Sequence, residues 1–343
     1  MQTTARTALD APHTATTRHA LARGYPIALA SAALLSTTAV FIRYLTNTYR
    51  IPPLVLALWR DGFVVATLLP VLAILAPRLV RVTREQFRYL VLYGLVLAAF
   101  NALWTLSVVL NGAAAATVLV YCSVGFTAVL GRWLFGERLN GAKLAAVVLS
   151  LAGCALVSQA LDRAAWRANV LGIATGVLSG LGYAAYTLMG RSASRRGLNP
   201  WTTLLYAFGG AAIVLLALNL VTGGFLPGAA SSPSDLLWLR GAVSGWAILL
   251  LLAAGPTVLG FGLDNVSLTY LPSSVVNLIV TLEPVFTAGI AYAALGERLT
   301  WIQIGGGFVI LSGVVVLRID EGRRAARSVR IIAAPRGSRR SAG

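Results

Sequence analysis

Ionisable side chains are rare in the apolar stretches of this chain, and the few that occur there carry whatever chemistry it has. Glu283 stands about ten residues into the apolar run 273–295, where an ionised carboxylate is expensive unless paired or hydrated. An acid so placed can take a proton from one face of a membrane and release it to the other. The structural reading of the same residue is a hydrogen-bonded acid beside the helix bend imposed by Pro284. Asp264, near one end of the run 246–268, is the second candidate for proton coupling, as a gate or coupling acid. Arg60 and Asp61 are adjacent in ALWRDGF within 54–76. Neighbours on a helix point about 100° apart, so one cavity cannot receive both squarely. Arg60 can meet an anionic group of a substrate. Its structural alternative is an ion pair or a reach to the headgroups, and that alternative extends to Arg43. Asn101, Trp104, Tyr121, Tyr183, Tyr186 and Asn277 complete the candidate cavity, with rings as walls and amides fixing orientation.

Other chemistries lack their residues. Both histidines, His13 and His19, precede the first apolar run, and Cys122 and Cys154 lie in apolar segments without a neighbouring metal-ligand set. They read as small apolar residues. The sequence has no HExxH and no phosphate-binding Gly-Lys-Ser/Thr loop, so no catalytic residue, metal or cofactor is expected and nothing marks a membrane-embedded enzyme. Without a nucleotide site, work must come from a gradient.

These residues are positioned by a chain that is 57% apolar and 11% charged, with mean hydropathy +0.78. Such a composition suits helices in lipid, which expose apolar side chains while satisfying their backbone hydrogen bonds internally. Stretches of about twenty apolar residues predict ten spans, at 25–47, 54–76, 89–110, 113–135, 141–161, 168–190, 201–222, 246–268, 273–295 and 300–318. Residues 1–24 read as a disordered cytosolic tail with no signal peptide, 222–245 as a linker rich in Gly, Pro and Ser, and 319–343 as a basic cytosolic tail. The net charge of +17 lies in loops and ends without interleaved stacking aromatics, which argues against nucleic acid. On the ten-span path, 21 Lys and Arg fall on one side and 5 on the other. This bias places both termini in the cytoplasm, in a bacterial cytoplasmic (inner) membrane.

The chain also repeats itself. FTAVLGRWLFGERL at 126–139 returns as FTAGIAYAALGERL at 286–299, an offset of 160 that also pairs Leu103 with Leu263, Trp104 with Asp264, Ser107 with Ser267 and Gly153 with Gly313. Spans three to five thus match spans eight to ten. Five spans per half is an odd number, so the second half enters from the opposite side. The expected fold is all-α integral membrane, ten transmembrane helices in two inverted five-helix repeats, 25–161 and 168–318.

Ten spans in two halves, each with its fourth helix running into GERL (Gly136-Glu137-Arg138-Leu139 and Gly296-Glu297-Arg298-Leu299), resemble the EamA-type members of the drug/metabolite transporter superfamily. The stretch LPSSVVNLIVTLEPVFTAGIAYAALGERL at 271–299, with its Glu283-Pro284 pair, carries most of the resemblance. What it implies is a secondary transporter of small metabolites, often an exporter, working by alternating access across a cavity between the halves. An amino-acid-like or amphipathic substrate is expected, without a fixed identity. Arg60 resembles an arginine in the second span of relatives. The first half departs from the pattern, with Ser123-Val124 in place of Glu283-Pro284, so acid chemistry there is asymmetric.

Glu137-Arg138 and Glu297-Arg298 read as helix terminators, or else as ion-pair gates on opposite faces. Gly172, Gly176 and Gly180 line one helix face and Gly305-Gly306-Gly307 open the last span, as surfaces for close helix packing. The expected partners are a small-molecule substrate, the lipid bilayer and protons, with no obligate protein partner. A sensor or scaffold is the alternative, but short loops give it no folded soluble domain.

Overall fold

Twelve α-helices and no strand make up the described residues, 11–135, 141–157, 169–271, 276 and 279–333 of the computed structural model. In chain order they are α1 (Ala11–Tyr49), α2 (Pro53–Leu75), α3 (Arg84–Asn111), α4 (Ala113–Val120), α5 (Ser123–Phe135) and α6 (Gly141–Val157). There follow α7 (Val170–Arg195), α8 (Pro200–Val221), α9 (Val243–Leu252), α10 (Gly260–Tyr270), α11 (Glu283–Leu295) and α12 (Trp301–Ala333). By length and composition, seven described segments can cross a membrane: 23–49, 53–75, 84–111, 113–134, 170–195, 200–221 and 243–267. Each coincides with an expected span. The helices Gly141–Val157 and Trp301–Leu317 are apolar but shorter, and the first part of the expected span 273–295 lies largely outside the described residues.

The helices begin where the sequence supplies partners for the unsatisfied N–H groups of a first turn. Thr83 and Gln86 form a reciprocal capping box at α3, and Thr300 and Gln303 make the matching pair of bonds at α12. Asn169 and Asn199 accept from the backbone at the starts of α7 and α8. Proline opens α2 and α8, where its missing N–H is harmless. Both ends of the chain depart from the reading of the sequence. α1 already begins at Ala11 and α12 continues to Ala333, so helix extends into both expected tails.

Packing crosses between the two parts of the chain. α1 lies against α10 and α11, while α7 lies against α3 and α5; α2 and α3 share α8, and α6 packs along α12. The last seam depends on glycine. A Cβ at Gly153 would come within 2.7 Å of the Gly306 carbonyl oxygen, and one at Gly313 within 3.3 Å of that of Ala146. These two contacts exchange when 160 is added to the α6 numbers, since 146 becomes 306 and 153 becomes 313. Gly176 and Gly180 likewise admit Leu119 and Cys122 closely against α7.

Two interruptions share the same offset. α4 and α5 are separated by a turn at Tyr121-Cys122, and a turn at Thr281-Leu282 precedes α11. The Phe126 N–H donates to Cys122 O at 3.4 Å, and Phe286 N–H to Leu282 O at 3.0 Å. A third interruption has no counterpart in α3: Ala253–Leu259 is a π-helix containing Pro256, which joins α9 to α10.

The segment read as a loose linker is a fitted cover. Asn219 donates to Leu54 O and accepts from Ala230 N–H, Trp59 Nε1 donates to Leu236 O at 2.6 Å, and Trp238 Nε1 donates to Tyr49 O at 2.9 Å. Together these bonds fix residues 229–238 over the end of the bundle where α1 stops and α2 starts.

The α6–α12 seam gives a direct test. Gly153→Ala should lower thermal stability in detergent by about 1–3 kcal/mol, because the added methyl overpacks against backbone. Gly305→Ala, where nothing lies within 4 Å, should leave the unfolding midpoint unchanged.

Candidate substrate cavity

A cavity of about 180 Å³ lies inside the bundle, walled by α1 to α4, α7, α8, the π-helix, α10 and α11. Eight of the nine residues singled out from sequence line it: Arg60, Asn101, Trp104, Tyr121, Tyr183, Tyr186, Asp264 and Glu283. The ninth, Asn277, lies outside the described residues. Sequence reasoning missed Phe100, Thr117, Thr257 and Phe261, also in the lining. Only Thr257 and Phe261 had a signal, their nearness to Pro256 in an apolar run. Among the described residues no three or more His, Cys, Asp or Glu lie together in a way that could hold a metal.

One basic group enters the lining, and it is occupied. Arg60 Nε and Nη2 each lie 3.2 Å from Asp61 Oδ1, with both residues buried. Asn101 Nδ2 donates to the other carboxylate oxygen at 2.8 Å, and the guanidinium carbon stands 5.7 Å from the Trp104 ring centroid. As expected of neighbours on a helix, only Arg60 of the two lines the cavity, while its length lets it fold back onto the residue beside it. Arg60 is therefore held in a structural ion pair, and Asn101 serves that pair.

Glu283 sits in the first turn of α11, where the exposed N–H groups of a helix favour negative charge. Tyr121 Oη lies 2.9 Å from both Glu283 Oε2 and Val280 O, so the hydroxyl at the α4–α5 break meets the matching break before α11. Asp264 is different. Its Oδ1 is buried and has no hydrogen-bond partner among the described residues, and the same holds for Trp104 Nε1 at the equivalent position of the repeat.

Aromatic rings lead away from the cavity. Phe100 and Tyr183 have centroids 5.3 Å apart, and Tyr186 stacks on Tyr93 at 4.9 Å. A second pocket, of about 150 Å³, shares Tyr186 and Phe261 with the first and extends to Ser194, Leu198 and Pro200, near the α7–α8 connection.

Glu297 ties the start of α4 to α1. Its carboxylate accepts from Ala113 and Ala114 N–H at 2.9 and 3.1 Å, capping α4, and lies 3.3 Å from Arg43 Nε. Arg43 also donates to the carbonyl oxygens of Val108 and Val109. Gly112 makes this possible through its positive φ of 86° and its position, since a Cβ there would stand 3.0 Å from the Glu297 carboxylate. The GERL motif thus does more than end a helix. Gly296, at φ 68°, terminates α11, which frees Glu297 to cap another helix. The first copy, Glu137-Arg138, lies outside the described residues.

The ion pair is open to test by its imbalance. Asp61→Asn leaves a buried guanidinium without its counter-charge and should destabilise the purified protein by about 3–5 kcal/mol. Arg60→Gln combined with Asp61→Asn should recover most of that loss, as read by thermal unfolding.

Comparison with known proteins gives this geometry a context. A family model described as the EamA-like transporter family matches residues 22–159 and again 170–319. An uncharacterised transporter of Archaeoglobus fulgidus is 28% identical over 224 residues, which are 64% of this chain and 74% of that protein. The threonine/homoserine exporter RhtA of Salmonella typhimurium is 29% identical over 236 residues, 68% of this chain and 72% of its own. A protein crystal structure shares the fold at TM-score 0.56 and 19% identity, covering 87% of this chain and 97% of that one. Two successive matches to one family account for most of the sequence, and the chain belongs to the EamA-like transporter family.

Proposed function

We propose that the chain is a secondary exporter of small, amino-acid-like metabolites that works by alternating access and is coupled to protons through Glu283. The observation that carries this reading is a cavity lined by both parts of the chain, containing two carboxyl groups without ion pairs among the described residues. It adjoins a second pocket through Tyr186 and Phe261. The exporter named among its relatives supports the direction and the substrate class.

Ten spans in two inverted repeats are the arrangement that fits these facts. The exchanged contacts of Gly153 and Gly313, the two turns at the same offset, and the crossed packing of α1 and α7 all support it. The excess of Lys and Arg on one side supports cytoplasmic termini in a bacterial inner membrane. In that orientation the Glu297 cap and the 229–238 cover close the outer end. The state described is then inward-facing, with Tyr186 and Phe261 between the cavity and the cytoplasmic pocket.

Outward opening must separate Glu297 from α4. Glu297→Ala removes a helix cap worth about 1 kcal/mol and should shift the population toward the outward-open state. A membrane-impermeant thiol reagent applied from outside should then label a cysteine at Thr117 faster than in a Glu297-containing control, both in a Cys122→Ser, Cys154→Ser background. Equal labelling would remove the gating role of the cap.

Export itself is tested by comparing extracellular metabolites from cells making the wild-type protein, Glu283→Gln, or neither, at matched membrane expression. A compound that accumulates outside only with wild type is the expected outcome and identifies the substrate. In proteoliposomes, proton-driven flux that survives unchanged in Glu283→Gln would overturn the coupling role while leaving transport intact.

A further inference from the structure

The cavity has a charge preference that follows from its side chains, and the preference narrows the substrate beyond the exporter reading on which it rests. Four ionisable groups count. Arg60 and Asp61 neutralise one another through contacts of 3.2 Å, and Asn101 holds the second Asp61 oxygen. Glu283 and Asp264 remain, and neither forms an ion pair among the described residues. A bound anion would find no uncommitted cation among the described lining residues and would meet two carboxyl groups in a low-dielectric site. A bound ammonium ion would find an acceptor and several aromatic faces, which attract cations.

The two acids are not equivalent. Glu283 already accepts from Tyr121 and sits at the start of α11, where the helix favours its charge. Asp264 Oδ1 is buried without a hydrogen-bond partner among the described residues, and its residue lines the cavity. Trp104 Nε1, at the equivalent position of the repeat, likewise has no partner among the described residues. Buried polar atoms are ordinarily hydrogen-bonded, and exceptions call for a missing partner. Of the five such atoms among the described residues, the two that belong to residues of the cavity are complementary, one acceptor and one donor.

We infer that Asp264 is the receptor for a substrate ammonium group. The apolar part of the ligand lies along the wall formed by Phe100, Tyr183 and Tyr186. The Trp104 N–H serves a second polar group, such as one oxygen of a carboxylate. The substrate class is a primary amine or α-amino acid with an apolar side chain: the ammonium is obligatory and the carboxylate is dispensable. N-acylated and purely anionic compounds are excluded.

Isothermal titration of the purified full-length protein in nanodiscs, using four probes, separates these requirements. The probes are L-phenylalanine, phenethylamine, N-acetyl-L-phenylalanine and 3-phenylpropionate. The first two should bind, and the two lacking an ammonium should bind at least about tenfold more weakly, a difference of about 1.4 kcal/mol. Asp264→Asn should weaken the first two by about tenfold or more, whereas Gly305→Ala, outside the cavity lining and with open space around it, should change them by less than about threefold. Binding of N-acetyl-L-phenylalanine or 3-phenylpropionate as tight as that of L-phenylalanine overturns the assignment. So does an unaltered Asp264→Asn, or the failure of all four probes to bind. If Asp264→Asn does not fold, the ranking of the four probes on wild type still decides the ammonium requirement. The export experiment fails separately: export of an N-blocked or anionic metabolite would sink the ammonium site and keep the exporter, and amine binding without export would do the reverse.

Discussion

A guanidinium cannot be left uncompensated inside a helix bundle, and the arrangement of the cavity follows from how this chain meets that constraint. Arg60 is buried and draws its counter-charge from the next residue, with an amide from α3 completing the set. A buried pair of this kind adds little net stability, because desolvation offsets most of the attraction. Its larger effect is on what remains. By absorbing the one basic group among the described lining residues, Asp61 leaves Glu283 and Asp264 as the carboxyl groups there without ion pairs.

Close approach of backbones supplies the second constraint. In lipid no hydrophobic driving force brings helices together, so van der Waals fit must do it. Gly153, Gly306 and Gly313 let α6 and α12 meet, and Gly176 and Gly180 let α7 settle against the α4–α5 break. That break, in turn, places the Tyr121 hydroxyl against Glu283. The geometry of the acid site therefore depends on residues with no side chain at all.

What the sequence made legible was set by the range of each interaction. Apolar stretches and scarce charges are local signals, and they located most helices and eight of the lining residues. The fixed offset of 160 carries the equivalence of Trp104 and Asp264 in the sequence itself. Pairings across the chain were not visible. Nothing near Glu297 indicates that its carboxylate caps α4, because the donors, Ala113 and Ala114, offer only backbone N–H groups far away in the chain. The Gly, Pro and Ser content of 222–245 spoke of turns, while the tryptophan and asparagine donors that fasten it were separated from their acceptors by helices. Of the neighbours Arg60 and Asp61 only Arg60 lines the cavity, as their divergence on the helix requires, but the pairing of the two head groups was not legible, since the position of a long side chain's head group is not fixed by its root. Pro256 was visible as a residue, but its effect, a π-helical turn beside the cavity, depends on what packs around it.

The crossed packing of the helices also bears on how the protein is made. α1 rests on α10 and α11, and α6 on α12, so the first helices to leave the ribosome meet their final neighbours only after the last ones are inserted. Until then lipid must cover the face of α1 and the glycine groove of α6. Completion of the fold is an exchange of lipid contacts for helix contacts, among them the bonds from Ser31 Oγ to Gly260 O and from Thr287 Oγ1 to Ser36 O. A ribosome-bound chain that stops short of α10 is thus an unfinished bundle, and its biogenesis calls for the membrane to hold apart surfaces that the mature protein brings together.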